Sequence, residues 1–402
     1  TGGDAAQGDV IVFFDCHVKP RKGWEEAFLK QMKRAGDHRT VVVPTITALD
    51  PDSWEETPGS SSQACYLLWS GDFTWLHGPG RDVPLMSGGL LALSRRWWQE
   101  SEGYDPHMVA WGGENIDQSL RTWLCGGEIV AVHDAQVAHM WRRPEDDRTT
   151  ANYRINMLQA LKNRARAATG WFGNFSQKLA HYPDMRFTRW ASEDVSAFDD
   201  VRERLHCRPF AWFLWRFRDI YEHAGLLPKE TFRLRHIKSG TCLTYMGPVG
   251  THPQGGDEVS LVRCGSAQAA DRGPSVGGDV QRWHRANRDG RTGECCSGFR
   301  AWNTDQCLKV SGSVGTTICD LSGRYDMVLR VTDDSDQRLE PGQLAHPKGI
   351  CLVKSKGKLA IKACKERKRA QDGGAQAPRT PPVWDMVDVE VPLETQLYWQ
   401  AR

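Results

Sequence analysis

At 402 residues the chain is long enough for two or three domains, each with a core of its own. Its 52 basic and 50 acidic residues nearly cancel, which leaves no case for nucleic acid or an anionic membrane surface as a partner. Twelve cysteines and 17 tryptophans are the unusual counts, and with no Cys-X-X-Cys pair and no Cys/His grouping of zinc spacing the cysteines point to disulfides and an oxidising compartment.

No run is apolar enough to span a membrane, and no signal peptide opens the chain. A strand reached within ten residues, without an initiator Met, reads as a fragment of a longer protein. That strand, Val10-Ile11-Val12-Phe13-Phe14, runs straight into Asp15-Cys16-His17. A continuous apolar run is expected of a buried parallel strand, and α/β sheets place ligands beyond the carboxyl ends of such strands. Asp15 and His17, two residues apart on an extended chain, point to one side and can meet one divalent cation, which would in turn bind phosphate oxygens. The alternative is an Asp that caps the following turn, beside a surface His.

Helical spacing of Trp24, Ala27, Phe28, Met32 and Ala35, ended by Gly36, predicts a helix. A strand at Thr40–Val43, closed by Pro44, continues an α/β order. Residues 50–82, rich in Pro, Gly, Ser and Asp, read as a long surface excursion. Gly88 and Gly89 then abut the apolar stretch Leu90–Leu93, where glycine permits close approach of backbone to a ligand or marks a plain bulge. Trp111-Gly112-Gly113-Glu114-Asn115 opens a helix over Ile116–Leu124, and Gly126-Gly127 stop it. A carboxylate, an amide and an indole beside flexible glycines can hold a polyhydroxyl ligand; an ordinary helix start with a buried Trp is the alternative. Ile129–Val132 and Gln136–His139 form a strand region ending in His139, ahead of Arg142 and Arg143. His139 is either structural or completes what Asp15 and His17 begin. Asn174-Phe175-Ser176 fits the N-glycosylation pattern.

From Phe232 the texture changes to short strands and turns. Cys242-Leu243 with Cys264, Cys307-Leu308 with Cys319, and Cys351-Leu352 with Cys364 make a threefold repeat, with Gln281-Arg282-Trp283 ending the first unit. Three hairpin units, each stapled by a short disulfide loop, suggest a β-trefoil. Residues 365–382 form a basic, Gly- and Pro-rich insertion, expected to be disordered.

Taken together, Asp15-Cys16-His17, Ser87-Gly88-Gly89-Leu90, Trp111-Gly112-Gly113-Glu114-Asn115, Val137-Ala138-His139 and Cys207-Arg208-Pro209-Phe210-Ala211-Trp212, followed by the Cys-Leu repeat, resemble the polypeptide N-acetylgalactosaminyltransferases. The resemblance runs from about residue 9 to the end. It implies an α/β GT-A nucleotide-sugar fold over residues 1–218, incomplete at its start, a linker over 219–230 and a ricin-type β-trefoil lectin over 231–402. It implies Asp15, His17 and His139 as ligands of manganese (Mn2+), with Arg142 on the diphosphate of a UDP-sugar. Gly88 and Gly89 would line the sugar pocket, Glu114 and Asn115 would reach sugar hydroxyls, and Trp111 would pack beneath a mobile loop. The implied reaction is retaining transfer of N-acetylgalactosamine to Ser/Thr hydroxyls of a polypeptide, in the Golgi lumen, by a type II membrane protein whose anchor lies outside this chain. A Cys125–Cys207 disulfide is implied as well.

Several positions depart from the family pattern. Asp134 stands where a cysteine is expected, Pro144–Arg148 lacks the usual aromatic and glycine residues, and Asn163 occupies the place of a Trp. The uridine-binding half expected upstream is absent. Thr244, Lys309 and Val353 replace the Asp that grips sugar after Cys-Leu, so weak or no carbohydrate or glycopeptide binding by the trefoil is expected. Two other readings stay open: a non-catalytic glycan- or peptide-binding member with a vestigial transferase domain, or a transferase of another UDP-hexosamine.

Overall fold

The computed structural model describes residues 2–62, 64–76, 80–143, 145–150, 155–247, 259–265, 279–285, 298–304, 306–319, 329–367 and 382–401. Contacts divide the chain into two compact units, one of residues 1–179, 184–217 and 401–402, the other of 180–183 and 218–400.

In chain order the first unit contains α1 (Gly2–Ala5), β1 (Val10–Phe14), β2 (Val18–Pro20), α2 (Trp24–Ala35), β3 (Thr40–Leu49), β4 (Glu56–Ser62), β5 (Ala64–Leu67), β6 (Phe73–Leu76) and β7 (Leu90–Ser94). There follow α3 (Arg95–Glu100), α4 (Glu114–Leu124), β8 (Glu128–His139), α5 (Asp147–Thr150), α6 (Met157–Trp171), α7 (Ser196–Arg204) and α8 (Phe210–Arg216). A mixed sheet runs in the order β1-β7-β3-β8-β2, with β4 added to β3. β3 and β8 pair in parallel, whereas β7 is antiparallel to both β1 and β3. Strands β1, β3 and β8 therefore point the same way, and their carboxyl ends meet at one edge.

The direction of β1 matches the sequence reading, but its place does not. It is an edge strand bonded to an antiparallel neighbour, with Val12 39% exposed. The apolar run reflects two covered faces rather than two flanking strands: Phe13 packs on Trp98 and Tyr104, while Phe14 packs on Trp24 and Phe28. α2 lays Phe28 and Met32 against Val42, Ala92 and Val132, and ends at Gly36, whose φ of 69° a glycine adopts at low cost. Burying Phe28 alone contributes about 2 kcal/mol.

Two expectations need correction. β3 continues through Pro44, because a register shift between Pro44 and Thr45 absorbs the missing donor. Residues 50–82 are not simply a surface excursion: β5 and β6 form a hairpin, and Cys65, Leu67 and Trp69 are buried. Trp69 stacks on Phe175 at 5.9 Å and meets Phe210 edge-on. Glycine and serine there report turns between buried pieces.

The second unit is mainly β. Residues 219–230, expected as a linker, belong to it; they carry most of the helix Arg218–His223 and bury Tyr221 and Ala224. The hairpins Thr241–Tyr245 with Val259–Arg263, Gln306–Ser311 with Ser313–Ile318, and Ile350–Ser355 with Lys358–Ala363 are each stapled by a disulfide, Cys242–Cys264, Cys307–Cys319 and Cys351–Cys364. The leucine after the first cysteine of each pair enters one shared core: Leu243, Leu308 and Leu352 are all buried there. Trp283 donates its indole N–H to the Leu243 carbonyl and Trp384 does the same to Leu352, both at 2.9 Å. Trp384 thus repeats the role of Trp283 beyond the stretch 368–381, which lies outside the described residues. Cys295 and Cys296 lie outside them as well, while Cys16 and Cys65 carry free thiols. Leu352→Ala should destabilise this unit by about 3 kcal/mol, read as a lowered urea midpoint at unchanged slope.

Candidate metal and sugar-nucleotide site

Four chain segments converge at the sheet edge where β1, β3 and β8 end. Asp15-Cys16-His17 leaves β1 and crosses that edge to β2 at the far side of the sheet. It is fastened at both ends: the Asp15 amide donates to the Gly89 carbonyl at 3.0 Å, and the Met140 amide donates to the His17 carbonyl at 3.1 Å. This crossing brings Asp15 and His17 to His139, the last residue of β8. One ligand atom from each of the three lies within 4.8 Å of the other two. His139 Nε2 is 3.2 Å from Asp15 Oδ2, and the two imidazoles stand 4.6 Å apart.

Gly89 is required by this geometry. A methyl group built on it would lie 2.6 Å from Asp15 Cγ, so any side chain there displaces the carboxylate. Gly88 crowds Asn115 in the same way, at 2.9 Å. Asn115 donates to the Met86 carbonyl at 3.2 Å, which fixes the start of α4 against the segment leading into β7. Burial pushes the Glu114 carboxyl above its ordinary pKa, with Asp15 adding to the rise and the Gly112 and Glu114 amides opposing it. Gly113, at φ 92°, would meet the Asn163 backbone at 2.7 Å if it carried a side chain. The turn into α4 is therefore pressed against α6. Arg142 and Arg164 lie over the Trp111 ring at 5.7 and 5.9 Å, and Arg164 also pairs with Asp72 at 2.8 Å.

The structure thus gathers Asp15, His17, His139, Gly88, Gly89, Glu114 and Asn115 around one edge, with Trp111 and Arg142 stacked together. Cys125–Cys207 joins the end of α4 to the segment before α8. Sequence reasoning missed Trp141, 4.3 Å from the His139 ring and itself packed on Trp75, although its place two residues after His139 was a signal. It also missed what Asn163 does, donating to the Val109 carbonyl at 2.8 Å and accepting from Gln159 at 2.9 Å.

The donor set suits a divalent cation. A carboxylate and two imidazoles match manganese-type ions, His139 Nδ1 is buried without a partner, and among the described residues no Lys or Arg neutralises Asp15. Burial, together with His139 and Arg142, holds His17 below its ordinary pKa against the pull of Asp15, so the neutral, ligating form prevails at pH 7.

Comparison with known proteins agrees with this geometry. The sequence family described as the N-terminal domain of galactosyltransferase matches residues 78–143. Polypeptide N-acetylgalactosaminyltransferase 13 of rat is 29% identical over 313 residues, 73% of this chain and 52% of the relative. Polypeptide N-acetylgalactosaminyltransferase 8 of Drosophila melanogaster is 33% identical over 227 residues, covering 53% and 37%. The chain is similar in sequence to several polypeptide N-acetylgalactosaminyltransferases. It spans about half the length of the relatives it matches. A crystal structure described as GalNAc-T7 with UDP, GalNAc and Mn2+ aligns with a TM-score of 0.53 at 22% identity, over 96% of this chain and 67% of that one, and shares the GT-A fold.

Two outcomes follow for this candidate metal site. Gly89→Ala should weaken Mn2+ binding by about 10-fold or more in a calorimetric titration, while Gly8→Ala, whose added methyl meets only ordinary contact, should leave it unchanged. Because the His17 pKa is depressed on folding, the unfolded chain takes up a proton first as pH falls below about 6.5. Stability should therefore decline on acidification through that range, and His17→Gln should flatten part of the decline in denaturation midpoints measured against pH.

Proposed function

We propose that the protein to which this chain belongs transfers N-acetylgalactosamine from UDP-N-acetylgalactosamine to Ser/Thr hydroxyls of polypeptides, with retention at the anomeric carbon. The observation that carries the reading is the Asp15, His17 and His139 cluster, set at the same sheet edge as Gly88-Gly89 and the start of α4. In this reading those three side chains hold Mn2+, which when bound supplies Lewis acidity toward a departing diphosphate. Arg142, stacked on Trp111, offers its guanidinium to phosphate oxygens. Glu114 and Asn115 take the sugar hydroxyls, and the missing side chains at Gly88 and Gly89 leave the backbone close to the ring. Residence in the Golgi lumen accords with the four disulfides among the described residues.

In the second unit we read a ricin-type β-trefoil that does not grip sugar at its first repeat. Thr244, in the place of the expected Asp, is buried; its hydroxyl donates to the Cys242 carbonyl at 3.0 Å and accepts from Gln281 at 3.1 Å. A spent hydroxyl favours a structural role for that position.

The test is sugar transfer by the full-length parent protein, with Mn2+ and a mixture of Ser/Thr-rich peptides, beside Asp15→Ala. Product should require metal and fall by about 100-fold or more in the variant. Product from a different UDP-hexosamine would reassign the donor. A folded protein that yields none from any UDP-hexosamine overturns the reading in favour of a binding member.

A further inference from the structure

A second concave site lies away from the metal centre, on the other side of α6. It is a cleft of about 720 Å³ walled by α6, by the loop through His107 and by the segment 187–193. On α6, Gln159, Lys162, Asn163 and Arg166 line it; these are the i, i+3, i+4 and i+7 positions that form one helix face. Arg164, which reaches Trp111, points from roughly the opposite face.

The floor of the cleft is built around a buried guanidinium. Arg166 is buried, with Nε donating to Asp105 at 2.5 Å and Nη1 donating to Glu193 at 2.9 Å and to the Asp194 carbonyl at 2.6 Å. Two carboxylates thus more than offset the one guanidinium and leave one negative charge in excess at the floor. The mouth is different. Lys162 and Arg189 are exposed cations, and among the described residues neither has an ion-pair partner. Arg189 sits at φ 58°, a conformation a side-chain-bearing residue adopts at some cost. Phe187 stands beside them with 54% of its surface exposed. The two mouth cations, without ion-pair partners among the described residues, outweigh the floor's one excess negative charge, and with the exposed ring they make a surface complementary to a carboxylate-bearing extended chain with some apolar content.

We propose that this cleft binds an acidic segment of a polypeptide, with Lys162 and Arg189 meeting its carboxylates and Phe187 its apolar side chains. Identifying that polypeptide as the acceptor rests on the transferase reading; the binding itself does not. The cleft also backs onto the sugar-nucleotide site, because Asn163, in its wall, is the residue on which Gly113 packs and which ties down Val109. An acidic stretch flanking an acceptor Ser or Thr would be held here while the hydroxyl lies across α6.

The experiment is equilibrium binding of the full chain by fluorescence anisotropy, with a fluorescein-labelled Ser/Thr peptide rich in glutamate and the same peptide with every glutamate replaced by glutamine. The acidic peptide should bind about 10-fold tighter, and the difference should shrink as salt rises from 50 to 300 mM, roughly the range over which surface charges become screened. K162Q/R189Q, with an unchanged circular dichroism spectrum, should abolish the difference, and Lys162→Arg should keep it. Asp15→Ala should bind the acidic peptide as the wild type does, so a failed transfer assay would not touch this inference. Equal affinity for the two peptides overturns it, as does an acidic preference that survives in K162Q/R189Q.

Discussion

Two backbone hydrogen bonds hold the site together, one from Asp15 to Gly89 and one from Met140 to His17. Between them three residues cross a sheet edge, and the crossing turns two side chains toward a third that arrives on a different strand. Everything else serves to keep that edge in place. β1, β3 and β8 must run in one direction for their ends to meet, and the antiparallel β7 must begin where they finish, so that Gly89 can accept the bond. The cation-competent cluster is thus a product of strand direction. Its side chains owe little to the local conformation of the Asp-Cys-His tripeptide itself.

This explains what could and could not be read from residues alone. Asp15 and His17 could be read in two ways, as a cation pair on one side of an extended chain or as a turn-capping Asp beside a surface His, and the tripeptide alone does not choose between them. The helix at Trp24–Ala35 was legible from spacing and from Gly36. The pairing of β1 was not: Phe13 and Phe14 find aromatic partners on both faces, and an edge strand covered that way has the same composition as a central one. Residues 64–69 were misjudged because glycine and serine around them outweighed the buried Cys65, Leu67 and Trp69 in the count. In the second unit the Cys-Leu repeat was legible because each pair does two jobs in fixed order, a staple and then a core leucine. Trp384 was not, since a long polar stretch separates it from the motif it repeats.

Helix α6 shows how a departure in sequence can preserve a geometry by other means. Where the family resemblance leads one to expect an indole, Asn163 binds the Val109 backbone and offers its own backbone to Gly113. Packing by an aromatic ring is replaced by hydrogen bonds, and the turn that presents Glu114 and Asn115 is still held from behind. Asp105 and Arg166 fasten the other end of the same loop. A buried ion pair of this kind contributes little net stability against its desolvation, but it permits few alternative arrangements.

The exposed side of β1 has a practical bearing on handling the isolated chain. Among the described residues the strand bonds only to β7, so one row of its amides and carbonyls faces outward, with Val12 open to solvent. Such an edge accepts a further strand from whatever chain is near. In dilute solution that is harmless; in concentrated stocks two copies can join edge to edge and propagate. A lysine in place of Val12 would discourage self-association during purification without touching the fastened crossing that follows it.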